Sequence, residues 1–343
     1  MAVEQISTNF DTVFPSPPAR LSWKARGLLT FYRHVVKKML PGHVELADAK
    51  AMMVKLDRWL GGSGGDSGFD RKSVGANGLA AEWISLRGTH TKRVILYLHG
   101  GGFMLSTPHL HGRLAARLCK LLGAKAFLPH YRLAPDHPLP AAHEDCLAAY
   151  RWLIVDGHDA ANIILAGDSA GGMLVLSTMQ RIRDAGLPLP ACGVMFSPGS
   201  CVDSMRELDA QSTLADPMIG PGMLELLQRV VVSHVGPYDP AISPCAGSLH
   251  GLPPLLFQAG STEMLLFQSR KAFALARAGG TYAELQVWSE MPHVWQAVHW
   301  LPEAEQALAC VADFVTRLGG ADWQGIEYKL PDAAALQSEA TFS

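Results

Sequence analysis

No stretch of this sequence approaches the roughly 18 consecutive apolar residues that a membrane-spanning helix needs. Charge of one sign is missing as well: 29 Lys and Arg face 31 Asp and Glu, a formal net charge of -2. Nothing in that balance calls for nucleic acid or an acidic partner, and small neutral substrates suit it better. Cysteine is sparse, six residues with no C-x-x-C pair, mostly in apolar periodic segments where a thiol behaves as a small hydrophobe, which suggests a reducing compartment. The opening "MAVEQISTNFDTVFPSPPAR" lacks an early basic cluster and an apolar core of the kind a secretory signal carries. A cytoplasmic location is therefore expected.

What is present is a long chain of 343 residues, 48% of them hydrophobic, enough for one large α/β domain and an appendage. Two amphipathic segments open it, Leu21 to Leu40 and Val44 to Leu60, the second with Met52, Met53, Leu56, Trp59 and Leu60 on one face. They predict an N-terminal helical cap segment over residues 1–60, followed by a flexible linker at 61–70 around "GGSGGDSG". The first segment carries Lys24, Arg26, Arg33, Lys37 and Lys38 and no acid. That pattern suits an anionic membrane surface, but a solvated helix face over a catalytic domain is the commoner cause and is preferred.

Beyond the linker, strand and helix alternate. Strands are predicted at Glu82 to Leu86, Val94 to Leu98, Ala126 to Tyr131, Ile163 to Ala166, Gly193 to Phe196, Leu255 to Ala259 and Tyr282 to Trp288. Helices are predicted at Leu110 to Leu122, Glu144 to Val155, Ala170 to Ala185, Phe267 to Ala278 and Pro302 to Leu318. Such alternation builds a mostly parallel, doubly wound sheet, here as a catalytic domain over residues 71–320 with a loose tail at 321–343. Between Phe196 and Leu255 lie almost sixty residues, with a helix expected from Gly222 to Val235. That is too long for a plain connection, and a cap insertion is assigned to about 202–240.

"NIILAG" runs straight into "GDSAGG", so Ser169 falls at a strand-to-helix turn between small residues. A serine there is forced into a tight elbow that lifts its hydroxyl above the sheet edge, the arrangement of a nucleophile. Acyl transfer at a serine develops an oxyanion, which needs preorganised N–H donors. "YLHGGGF" at 97–103 supplies them: its glycines let the backbone turn the N–H groups of Gly101 and Gly102 toward the same point as that of Ala170. A phosphate cradle would need G-x-G-x-x-G or a following Gly-Lys-Ser/Thr, and neither is present. His99 is read as bracing the glycine loop and Asp168 as a support beside the serine. His293 follows the last strand in a loop at the sheet's C-terminal edge, where a general base can reach Ser169. His109 and His111 form an H-x-H pair, but no further ligand stands at a recognisable spacing, and no metal is assigned.

These motifs resemble the hormone-sensitive lipase family of esterases (bacterial type family IV). The resemblance rests on "HGGGF" (99–103), "YRLAPDHPLPAAHED" (131–145), "GDSAGG" (167–172), "YDPAISP" (238–244), "GLPPLLFQAGS" (251–261) and "MPHVWQ" (291–296), and spans roughly residues 70–318. It implies an α/β-hydrolase fold, a mostly parallel central sheet flanked by helices with a helical cap. It further implies Ser169 as nucleophile, His293 as base and Gly101, Gly102 and Ala170 as oxyanion donors. The acid departs from the pattern: where the family shows Asp, this chain has Glu263 in "GSTEMLLFQS". Glu263 nevertheless follows its strand's C-terminal end and lies between Ser169 and His293 in chain order; of the rivals, Asp239 precedes that strand in a proline-bounded loop, Glu284 lies inside a strand and Glu290 shares the histidine's own loop. The expected activity is hydrolysis of short to medium-chain carboxylic esters through an acyl-enzyme, without a cofactor. Lactone or arylformamide hydrolysis on the same residues is the alternative, and a non-catalytic receptor on this fold is disfavoured by His293. A small-molecule ester is the expected partner, and a second copy of the chain, as a homodimer, is the assembly considered beside it.

Overall fold

The computed structural model describes residues 21–39, 42–61, 68–202, 208, 213–236 and 239–319. The expected C-terminal tail, most of the linker, residues 1–20 and Tyr238 of the "YDPAISP" motif lie outside them. Eight strands form one sheet in the order β1-β2-β4-β3-β5-β6-β7-β8. They are β1 Phe69–Ala76, β2 Leu79–Leu86, β3 Val94–Leu98, β4 Lys125–Pro129, β5 Ile163–Asp168, β6 Cys192–Phe196, β7 Leu255–Gly260 and β8 Ala283–Trp288. β1 and β2 pair antiparallel, β2 pairs antiparallel with β4, and every other pair is parallel.

The parallel strands are apolar throughout because both faces are covered. Val94, Leu96 and Leu98 point into one core with Met173, Leu174 and Phe273, while Ile95 and Tyr97 point into the other with Leu114, Leu118, Val311 and Phe314. This two-residue alternation within a continuous apolar run is what a doubly covered strand requires. The covering helices are α3 Pro108–Leu122, α4 Ala141–Val155, α5 Ala170–Asp184, α7 Leu266–Ala278 and α8 Pro302–Gly319. α3 starts on a proline and stops at Gly123, which takes the left-handed φ of 58° that ends a helix cheaply.

The first strand was not expected. Phe69–Ala76 begins inside the anticipated linker, and its solvent-exposed, charged pattern reads as loop. Asn77 (φ 51°) and Gly78 (φ 87°) join it to β2 as a two-residue hairpin, and this Asn-Gly pair is the signal that reveals it. In the long segment after β6, helix α6 covers Pro221–Val230 rather than reaching Val235; a 3₁₀ turn at Val232–His234 follows.

At the N-terminus, α1 (Trp23–Phe31) continues through a π turn to Met39, and α2 covers Leu46–Gly61. Ala25, Leu28, Tyr32 and Val36 of the first helix bury themselves against Trp288, Met291, Trp295, Val298 and Leu301. Those residues flank His293. Ser22 fixes the start of α1 by donating its N–H and hydroxyl to the Glu303 carboxylate at 2.7 and 3.0 Å. From α2, the buried Asp57 accepts from the N–H of Leu110 (2.8 Å) and from the N–H and ring Nδ1 of His109 (3.3 and 2.8 Å). Asp57 thus caps α3, whose own Thr107 contributes no side-chain cap.

Candidate active site

Because β4 lies on one side of β3 and β5 on the other, the chain reverses direction across the sheet at β3. Brought together there are the loops leaving the C-terminal ends of β3 and β5, where open α/β sheets form their clefts. Leu98 of β3 pairs with Gly167 of β5, so the glycine loop and Ser169 emerge side by side.

Ser169 adopts φ 52° and ψ −120°, a region that a side chain occupies only under strain, and α5 starts immediately behind it. Glycines make the turn possible. A Cβ on Gly171 would stand 1.9 Å from the Leu98 carbonyl oxygen, and one on Gly167 would stand 2.6 Å from that same oxygen. Gly101 has φ 114°, and a Cβ there would meet the Leu105 carbonyl oxygen at 2.1 Å. Among the described residues neither Gly101 nor Gly102 gives its N–H to another group, and Ala170, first in α5, has no helical acceptor.

Ser169 Oγ lies 2.9 Å from His293 Nε2, and His293 Nδ1 lies 2.8 Å from Glu263 Oε2. Glu263 Oε1 accepts from the N–H of Gly260 at 2.8 Å. Burial alone would push the His293 imidazole down; the adjoining Glu263 carboxylate outweighs it, with Asp216 and Asp168 adding to the effect, and holds His293 above its usual value. Burial pushes the Glu263 carboxyl up, against hydrogen bonds from His293 and Ser197. The rival acids are turned elsewhere: Asp239 accepts from the N–H of Ala241, Glu284 pairs with Arg317 at 2.7 and 3.0 Å, and Glu290 is exposed.

The predicted supports sit beneath the glycine loop. His99 Nδ1 donates to the Gly100 carbonyl at 2.7 Å, and the Tyr131 hydroxyl donates to the His99 carbonyl at 2.6 Å. Burial, with His111 nearby, lowers the His99 imidazole to about 4, so it is neutral. Asp168 accepts from the Tyr97 hydroxyl (2.7 Å) and the Gly100 N–H (3.1 Å), and its other oxygen lies 3.3 Å from His111 Nε2. Burial alone would raise the Asp168 carboxyl; His111 and Tyr97 hold it below its usual value. The two histidines of the H-x-H pair therefore serve different carboxylates, His109 the one on α2 and His111 the one beside the serine. A cavity of about 180 Å³ opens above Ser169, walled by Met53, Met104, Met218, Met223, Leu227 and Met264 among others.

Sequence reasoning missed two groups here. Ser197, at φ 48°, accepts from the Val294 N–H at 3.0 Å and so ties β6 to the His293 loop. Asp216 is fully buried and accepts from the N–H of Met264 at 3.0 Å. Neither belongs to a motif, and each ties the site together through a backbone N–H distant in sequence, Val294 for Ser197 and Met264 for Asp216.

A family model described as alpha/beta hydrolase fold matches residues 95–297. An acetyl-hydrolase of Streptomyces hygroscopicus is 36% identical over 244 residues, 70% of this chain and 80% of that protein. Esterase LipU of Mycobacterium tuberculosis is 33% identical over 237 residues, 67% of this chain and 80% of that one. Among solved structures, an esterase from the bacterial hormone-sensitive lipase family superimposes with a TM-score of 0.78 at 34% identity, covering 87% of this chain and 99% of its own. The structure of EstE5 soaked with p-nitrophenyl butyrate does so with a TM-score of 0.77 at 35% identity, covering 86% and 98%. Fold and sequence alike make this chain an α/β hydrolase. Within that class it belongs to the hormone-sensitive lipase family of carboxylic ester hydrolases.

Proposed function

We propose that the chain hydrolyses short to medium-chain carboxylic esters through an acyl-enzyme on Ser169. The observation that carries this reading is the continuous hydrogen-bonded path from Ser169 Oγ through the His293 ring to Glu263, at 2.9 and 2.8 Å. In the reading, Ser169 Oγ attacks the ester carbonyl and its proton passes to His293 Nε2. Glu263 stays ionised, holding the Nδ1 proton and the ring orientation. Negative charge on the former carbonyl oxygen settles among the N–H groups of Gly101, Gly102 and Ala170. Collapse breaks the ester C–O bond as His293 gives its proton to the leaving oxygen, which departs as the alcohol. A water, deprotonated by His293, then attacks the acyl carbon, and the second collapse releases the carboxylic acid and returns the proton to Ser169. No metal or cofactor enters.

The flexible, methionine-rich wall of the cavity supports an acyl pocket for short to medium chains. Helices α2 and α6, which supply Met53 and Met223 to that wall, act as the cap. Six thiols without a disulfide, four of them buried, support a cytoplasmic location; among the described residues no helix is long and apolar enough to cross a membrane. Hydrolysis of a p-nitrophenyl acyl series tests the activity. Wild-type protein should turn over the shorter members and take up a fluorophosphonate label, whereas a folded Ser169→Ala variant should do neither. Retained turnover in that variant would end the serine mechanism.

A further inference from the structure

α1 contributes no residue to the cavity wall among the described residues, yet Lys37, in its last turn, reaches across to the insertion after β6. Lys37 Nζ donates to the carbonyls of Thr213, Leu214 (3.2 Å) and Asp216 (2.7 Å). Three carbonyls around one ammonium satisfy all its protons and clamp the loop's backbone. The side chain of the clamped Asp216 points the other way. One oxygen accepts from the N–H of Met218 and Ile219 at 2.8 and 2.9 Å, and the other accepts from the N–H of Met264. Met264 directly follows Glu263, so Asp216 grips the turn that carries the acid.

We infer that Asp216 is a positioning residue for the Glu263–His293 pair, and that Lys37 locks it in place from the N-terminal helix. This inference rests on the proposed serine mechanism and deepens it. A carboxylate with no exposure is costly unless its oxygens are satisfied, and here three N–H donors satisfy them. The expense is retained at a spot whose displacement would move Glu263 relative to the imidazole. The same helix buries its apolar face on Met291 and Trp295, on either side of His293. α1 therefore holds the base by packing and the acid by the Lys37–Asp216 link.

The charges that act on the His293 ring are those of Glu263, hydrogen-bonded to it from the loop after β7, of Asp216 from the insertion and of Asp168 from the end of β5, with His111 beside Asp168. Removing the charge of Asp216 takes away one of the negative charges that favour the imidazolium, so the acid limb of kcat/KM should move to lower pH.

The test compares wild type with Asp216→Asn, Lys37→Met and Lys37→Arg on p-nitrophenyl butyrate across pH, together with the low-field proton resonance of the His293 Nδ1–H. Small displacements remote from the chemistry cost up to about 10²-fold. Asp216→Asn should lose about that in kcat and weaken or shift the low-field resonance. Lys37→Met should lose about 10-fold, and Lys37→Arg should recover most of it. If Asp216→Asn does not fold, the Lys37 pair and the resonance decide. Variants within twofold of wild type in kcat with an unmoved resonance would overturn the inference. So would a loss carried by KM alone, which would assign Asp216 to the cavity wall through Met218 and Ile219. Ser169→Ala is run alongside: if it hydrolyses as fast as wild type, the serine mechanism has failed, and the resonance still reports on Asp216 independently.

Discussion

At Glu263 one extra methylene stands between backbone and carboxylate compared with the Asp usual at this place. The loop accommodates it by folding the side chain back on its own strand, so that Oε1 accepts from the Gly260 N–H while Oε2 meets His293. Glu263→Gln keeps the shape but presents an amide where the Nδ1 proton needs an anion. kcat should fall by about 10⁴, as for the corresponding amide substitution in the serine protease template. The pH dependence follows from the sign of the shift. With Glu263 ionised, His293 keeps its proton to higher pH than usual, so activity in the wild type should rise only above the ordinary imidazole value of about 6.5. Without the carboxylate, burial is left largely unopposed, and the residual activity of Glu263→Gln should rise at lower pH. A pH–rate profile with the same acid limb in both proteins would sink the assignment. The residues reached by this reasoning sit in contiguous motifs, which is why Ser169, His293, Glu263 and the glycine loop were legible in the sequence. Asp216 and Ser197 were not, because the link each makes to the site runs to one backbone N–H far along the chain, Met264 and Val294, and no spacing rule marks such a partner.

Among the elements, those with a strong internal period were readable and those defined by a neighbour were not. The parallel strands announce themselves as apolar runs and α3 by its apolar period from Leu110, two residues inside its Pro108 start, whereas β1 is a strand because β2 pairs with it along its full length. The N-terminal helices were legible as helices, but their partners were not. Of the five basic residues on α1 that suggested a surface, Lys24 donates to the Trp300 carbonyl and Lys37 to the clamped loop, so two of them hold the helix to its own domain. α2 is attached through Asp57, a side chain serving as the N-terminal cap of a different helix. Asp57→Ala leaves the first N–H groups of α3 without that acceptor, and the loss of such a cap costs about 1–2 kcal/mol. A lowered melting temperature with kcat on p-nitrophenyl butyrate near wild type is the expected outcome. An unchanged melting temperature would mean that water replaces the carboxylate fully and that α2 is held by packing alone.

For the whole molecule, the two N-terminal helices divide the work that a single cap would do. α2 places Met53 in the cavity wall, while α1 stays out of the wall and packs behind the His293 loop. Two truncations separate the roles. Removing residues 1–41 takes away α1 and the Lys37 clamp but leaves Met53 and Asp57. The prediction is a fall in kcat of similar size for every acyl length, with the KM profile across the series kept, since the wall is intact. Trp288, Met291, Trp295 and Leu301 lose their cover, so this protein should also bind a hydrophobic dye and melt earlier. Removing residues 1–61 adds the loss of Met53 and of the α3 cap, and only then should the KM profile change, because the acyl cavity has lost part of its side. Steady-state kinetics on the p-nitrophenyl series, from butyrate upward, read both quantities in each protein. If the shorter truncation alters the KM profile while leaving kcat untouched, α1 borders the substrate rather than the base, and the division between the two helices is wrong.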